Sequence, residues 1–132
     1  MWGDILTAVA HQRGVGGTVI YGVCRDVYRA LDVHYPIYSC GRFMRTGKDR
    51  VEVSAMNVPV TLGDAQVKPG DLLIGDDDGV PVVAREHEAK VIEVTLEIAD
   101  LEDRIVEEAL AGSTLRDARV KYGYHQLQRS QP

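Results

Sequence analysis

The sequence predicts an α/β fold in a single domain, and three features point to it. An amphipathic helix opens the chain, a glycine-bounded β-branched run follows it, and a β-rich middle full of turn residues gives way to a long helical tail. At 132 residues the chain fits one domain, 1–132, with the tail over about 86–132.

From Asp4 to Gln12 the apolar residues Ile5, Leu6, Val9 and Ala10 recur at helical spacing. Gly3 and Asp4 mark the start, with Asp as a good N-cap, and Gly14 marks the stop. Thr18-Val19-Ile20-Tyr21 is β-branched and aromatic, so it predicts a strand closed by Gly22 and buried with neighbours on both sides. A short helix is expected from Val27 to Leu31. Short strands are predicted at Pro36–Tyr38, Val51–Val53, Val58–Leu62 and Leu72–Ile74. Turns fall at Gly63-Asp64, at Lys68-Pro69-Gly70-Asp71, and at Asp76-Asp77-Asp78-Gly79 before Val80–Val83, where Asp-Gly chemistry predicts a hairpin. Pro81 belongs at a strand edge or start. Val91, Val94, Ile98, Leu101, Ile105 and Leu110 mark one face of a long helix from Glu86 to Leu110. Ala111-Gly112 ends it, Ser113 caps a short last helix, and Tyr122–Pro132 reads as a tail.

Composition excludes several classes of function. With 45% hydrophobic and 27% charged residues the chain is ordinary for a soluble globular protein. A formal charge of −5 argues against general nucleic-acid binding, which needs a basic face to neutralise phosphates. No apolar run reaches the ~18 residues of a membrane span, and the N-terminus lacks a signal-peptide layout. A cytoplasmic location is expected. Cys24 and Cys40 have neither CxxC spacing nor partnering histidines, and are expected as free thiols.

Each local motif is weak alone. Gly14-Val15-Gly16-Gly17 follows a helix and precedes a strand, the reverse of a dinucleotide loop, so it reads as a helix stop and a tight turn. Asp76-Asp77-Asp78-Gly79 lacks the spaced ligands and closing Glu of a calcium loop. His11, His34, His87 and His125 show no zinc-ligand spacing. Arg25-Asp26 by itself reads as a surface ion pair.

Together the motifs say more. Gly3-Asp4-Ile5-Leu6 and the run Gly14 to Asp26, followed by Pro36-Ile37-Tyr38, Asn57-Val58-Pro59-Val60, Val67-Lys68-Pro69-Gly70-Asp71 and Asp76-Asp77-Asp78-Gly79-Val80, come in a fixed order. In this the chain resembles the metal-dependent 4-hydroxy-4-methyl-2-oxoglutarate aldolases and their relatives, the regulator of ribonuclease activity A proteins, from Trp2 to about Val83. The resemblance implies a swivelling β/β/α-type layered domain of the phosphohistidine-domain kind. It departs from the family in two places. Tyr21-Gly22 stands where Asp-Gly is usual, which removes a carboxylate beside the site. Family members also carry a substantial N-terminal region before the equivalent of Trp2-Gly3-Asp4, so the resemblance implies an N-terminally truncated domain: the chain is a fragment, or another chain supplies the missing part, or the protein does without it.

The activity that the resemblance implies is cleavage of a 2-oxo acid to pyruvate, with oxaloacetate decarboxylation through the same enolate. Asp26 is implied as the direct ligand of a divalent cation whose other positions hold water, a donor set that suits Mg²⁺ or Mn²⁺. Arg25 would grip the substrate's oxygens with its planar fork, and the backbone N–H groups of Gly3, Asp4, Ile5 and Leu6 would receive its carboxylate. Asp4 either caps its helix or holds a metal-bound water, and counts with Arg25 and Asp26 among the candidate catalytic residues. A homotrimer or a hexamer is implied, with a small 2-oxo acid as substrate and neither nucleic acid nor membrane as partner. The competing expectations are a non-catalytic protein-binding regulator and an inactive fragment that needs a second chain. Methyl transfer has no support, because no glycine-rich loop follows a strand.

Overall fold

The computed structural model describes residues 1–127. It divides into two compact units, Met1–Arg85 and Glu86 onward. The first unit mixes helices and strands: α1 (Asp4–Gln12), β1 (Thr18–Cys24), α2 (Val27–Asp32), β2 (Ile37–Arg42), β3 (Val60–Leu62), β4 (Ala65–Val67), β5 (Leu72–Leu73) and β6 (Val82–Val83). The second unit is helical, with α3 (Glu88–Leu110), α4 (Leu115–Lys121) and α5 (Tyr124–Leu127) after a 3₁₀ turn at Arg85–His87.

The β1–α2–β2 segment positions the site. Its two strands run parallel, which requires a crossover between them, and α2 supplies it. Thr18 pairs with Ile37, Val19 with Tyr38 and Ile20 with Ser39, but the register then resumes at Val23 with Gly41 and Cys24 with Arg42. β1 therefore carries one extra residue around Tyr21-Gly22. Gly22 does not close the strand as predicted; it sits at this bulge, where a residue without a side chain is easily accommodated, and β1 continues to Cys24.

The core of this unit is narrow and lies where α1 and α2 approach each other and the sheet. Thr7, Ala10, Cys24, Ala30 and Tyr35 are its buried residues, and the two alanines let the helices come close. The Tyr35 hydroxyl is satisfied by the Thr18 hydroxyl at 2.7 Å, as a buried phenol requires. β1 is not the fully buried central strand that its composition predicts. Tyr21 is 66% exposed, and among the described residues β1 pairs only with β2 and, at Cys24, with Trp2.

Three further expectations are corrected. Val51–Val53 forms no strand; both valines are largely exposed, so the alternation there has no sheet to join. The N-cap of α1 is Gly3, not Asp4, and it makes no side-chain cap bond. Thr114, not Ser113, caps α4: its hydroxyl accepts from the Asp117 amide at 3.1 Å, while the Ser113 hydroxyl turns back to Glu108. β4 was not foreseen. It pairs antiparallel with β3 across the expected Gly63-Asp64 turn, and three residues with Gln at the centre give too little apolar signal to read. The hairpin around Asp76–Gly79 is present, with Leu72 opposite Val83 and Leu73 opposite Val82, and Pro81 just ahead of β6. The Asp76 carboxylate accepts the amides of Asp78 and Gly79, a turn role rather than a calcium one.

Candidate active site

The end of β1 delivers Arg25 and Asp26 beside the start of α1. Trp2 makes a parallel bridge to Cys24, and its carbonyl accepts the Arg25 amide at 2.9 Å. A small polar network fixes that strand-like start. The Trp2 indole donates to the Thr7 hydroxyl at 3.0 Å, and the same hydroxyl donates to the Gly3 carbonyl at 3.0 Å. The Trp2 ring lies parallel to that of Tyr35, with 6.4 Å between centroids. Trp2, Thr7 and Tyr35 therefore hold Gly3 against the Arg25-Asp26 pair, and the sequence reading missed all three. Their only sequence signal is a Trp and a Thr five residues apart around a helix start.

Asp26 occupies the N-cap position of α2, where an aspartate usually accepts an amide of the first turn. Here it does not. Its backbone is left-handed, at φ 55 and ψ 40, and its side chain makes no cap bond. The carboxylate faces the Arg25 guanidinium at 3.4 Å, and each side chain is about one-third exposed. Left-handed backbone at a residue other than glycine costs roughly 1 kcal/mol or more. The carboxylate thus remains available for a ligand instead of holding its own helix.

Gly3 meets the pair closely. A Cβ built there would lie 3.0 Å from Asp26 Oδ2 and 3.3 Å from Arg25 Nε. Gly3, Asp4, Ile5, Leu6 and Arg25 line one cleft of about 380 Å³, whose far wall is the loop Thr46-Gly47-Lys48. That loop is held by its own bonds, from the Lys48 amide to Thr46 Oγ1 and from the Arg50 guanidinium to the Thr46 carbonyl. Arg25 and Asp26 also border a second cleft, of about 480 Å³, with Val27, Arg42, Phe43 and Met44. The structure thus brings together all six residues singled out in the sequence. Asp4 is already engaged, its Oδ1 accepting the Ile5 amide at 2.9 Å. Tyr21 lines neither cleft.

A divalent cation can be tested against this donor set. Among the described residues no three His, Cys, Asp or Glu side chains gather as a metal cluster. What exists is one uncapped carboxylate, Asp26, open to water. That fits a hard ion that keeps most of its hydration, such as Mg²⁺ or Mn²⁺, and does not fit a closed zinc site. Both cysteines are free thiols, Cys24 buried and Cys40 exposed. No helix among the described residues is long and apolar enough to cross a membrane.

The chain matches the family model described as RraA-like, Aldolase/RraA, over residues 1–82. It is 36% identical over 126 residues to protein DlpA of Legionella pneumophila, covering 96% of this chain and 20% of that protein. It is 32% identical over 91 residues to a Halalkalibacterium halodurans protein named "Putative 4-hydroxy-4-methyl-2-oxoglutarate aldolase", covering 69% of this chain and 43% of that one. The crystal structure of an uncharacterised protein from Pseudomonas syringae pv. tomato superposes with a TM-score of 0.89 at 39% identity, over 92% of this chain and 57% of its own. The chain thus spans between a fifth and just over half of the length of these relatives. With the family model covering the unit that bears the Arg25-Asp26 pair, the chain belongs to the RraA-like aldolase family.

Proposed function

We propose that this chain carries the catalytic half of a divalent-metal-dependent aldolase that cleaves 4-hydroxy-4-methyl-2-oxoglutarate or a related 2-oxo acid to pyruvate, with oxaloacetate decarboxylase activity. The observation that carries the reading is the Asp26 carboxylate, left uncapped in a left-handed backbone, paired with Arg25 and set against the first residue of α1.

The chemistry assigns roles to the residues present. The C3–C4 bond of the substrate breaks, its electron pair passes into the C2 carbonyl to give a pyruvate enolate, and the C4 hydroxyl loses its proton as it becomes a carbonyl. Loss of CO₂ from oxaloacetate leaves the same enolate. Asp26 is the residue that would hold the cation, which when bound supplies Lewis acidity to the keto oxygen. Arg25 binds the substrate oxygens through its fork. The start of α1 receives the C1 carboxylate, with the amide of Ile5 exchanging its Asp4 acceptor for the substrate. Asp4, once released, is the carboxylate in that cleft able to move a proton. The reading includes the family's layered β/β/α arrangement and a trimeric or hexameric assembly.

The test is pyruvate release from 4-hydroxy-4-methyl-2-oxoglutarate and from oxaloacetate, with Mg²⁺ or Mn²⁺ and with chelator. Metal-dependent release from either supports the reading. No release from either, with the metal supplied and the chain folded, would sink it and favour a partner-binding regulator on the same scaffold.

A further inference from the structure

We infer that Arg42 is a second anion anchor, on the far side of the Arg25-Asp26 pair from α1, which selects 2-oxo acids bearing a distal carboxylate; this rests on the reading of the site as a 2-oxo acid site. Register places it there. Cys24 of β1 pairs with Arg42 at the end of β2, and the Phe43 amide donates to the Cys24 carbonyl at 2.9 Å. The two strand ends therefore run out side by side, one into Arg25-Asp26 and the other into Arg42-Phe43-Met44, and both segments line the 480 Å³ cleft.

Charge makes this cleft an anion site. Asp26 faces Arg25, so the pair is close to neutral. The Arg42 side chain, by contrast, has no ion pair among the described residues. The segment from Arg42 to Arg50 holds four basic residues, Arg42, Arg45, Lys48 and Arg50, against one acid, Asp49, within a chain whose net charge is −5. A basic strip of this kind beside a cleft draws anions towards it. Arg45 stacks over the Phe43 ring at 6.0 Å, and Arg42, which also borders the Asp76-Asp77-Asp78 turn across a neighbouring cleft, makes an ion pair with none of those carboxylates.

Substrate geometry gives the anchor its task. With the C1 carboxylate at the start of α1 and the keto oxygen at the pair, carbons beyond C2 run into the second cleft. There Phe43 and Met44, 46% and 89% exposed, offer apolar surface to the chain carbons, and Arg42 offers a planar fork to a terminal carboxylate.

The test uses two ligands that differ only at the far end: 2-oxoglutarate, and 2-oxopentanoate, where a methyl group replaces the distal carboxylate. Dissociation constants would be measured by titration calorimetry on the full chain with Mg²⁺ present. Wild type should bind 2-oxoglutarate at least tenfold more tightly than 2-oxopentanoate, Arg42→Gln should bring the ratio near one, and Arg42→Lys should lie between. Since Arg42 is exposed and makes no side-chain bond among the described residues, the melting temperature of each variant should match wild type and confirm its folding. A tenfold ratio that survives in Arg42→Gln overturns the assignment to Arg42. A ratio near one in wild type overturns the anchor while leaving the 2-oxo acid reading standing. Wild type that binds neither ligand overturns both.

Discussion

Replacing Gly3 by alanine separates the geometry of the site from the stability of the fold. At φ −149 and ψ −170 the Gly3 backbone is extended, so alanine fits without strain. The new methyl, however, would sit 3.0 Å from Asp26 Oδ2 and 3.3 Å from Arg25 Nε, where ordinary contact begins near 3.4 Å. The pair must retreat by about 0.4 Å. A 1 Å misplacement in an active site costs about 10²-fold, so on a logarithmic scale the loss in kcat/KM should be about five- to tenfold, or about 1–1.4 kcal/mol. Stability should move little. An alanine N-cap costs roughly 0.5–1 kcal/mol relative to glycine, and the reduced entropy of the unfolded chain returns about 0.4–1 kcal/mol. Pyruvate release coupled to lactate dehydrogenase, alongside a thermal melt, reads both quantities. Gly16→Ala is the control, because a Cβ there meets nothing within 4 Å. Full activity in Gly3→Ala with an unchanged melt would refute the idea that the pair depends on the gap at Gly3.

Other outcomes follow from the same geometry. Asp26→Asn should abolish divalent-metal stimulation of pyruvate formation while leaving the melt nearly unchanged, since asparagine tolerates left-handed backbone but a neutral amide is a poor ligand for a hard cation; equal metal-dependent rates would remove Asp26 from the site. Arg25→Lys should lower kcat/KM at least tenfold, about 1.4 kcal/mol, because an ammonium cannot make two parallel bonds to a planar anion, and an unchanged value would make Arg25 a surface charge. In the helical unit the Lys121 ammonium, with help from the Tyr122 hydroxyl, holds the Glu108 carboxyl below the usual carboxylate range. A depressed folded pKa contributes stability above the unfolded value of about 4.3 and loses it as pH falls through the folded value. The melting difference between wild type and Glu108→Gln should therefore be small at neutral pH and vanish in acid; the same difference at pH 3 and pH 7 would contradict this.

Local chemistry made much of the fold legible. The apolar stripe of α1, the positive-φ Gly14 behind it, the β-branched start of β1 and the Asp-Gly hairpin each follow from rules that act within a few residues. What escaped depends on distant partners. Val51–Val53 alternates like a strand, but nothing in a sequence says whether a neighbouring edge exists to receive it. Gly22 looks like a terminator because its place opposite β2 is invisible until the register is known. Trp2 and Tyr35 are far apart in the chain, and only the fold stacks them. At the site, the motif order made the Arg25-Asp26 pair and the α1 start legible, whereas the 46–48 wall and the Arg42 cleft emerge only from the way β2 runs out beside β1.

The left-handed backbone at Asp26 has a consequence for anyone engineering this protein. Glycine adopts φ 55 freely, so Asp26→Gly should relieve roughly 1–2 kcal/mol of backbone strain against about 0.4–1 kcal/mol for the added freedom of the unfolded chain, a small net gain that removes the carboxylate. A library sorted on expression or heat resistance alone would enrich that substitution, and each round would deliver sturdier and emptier protein. Any selection on this scaffold therefore has to carry a catalytic readout from its first round.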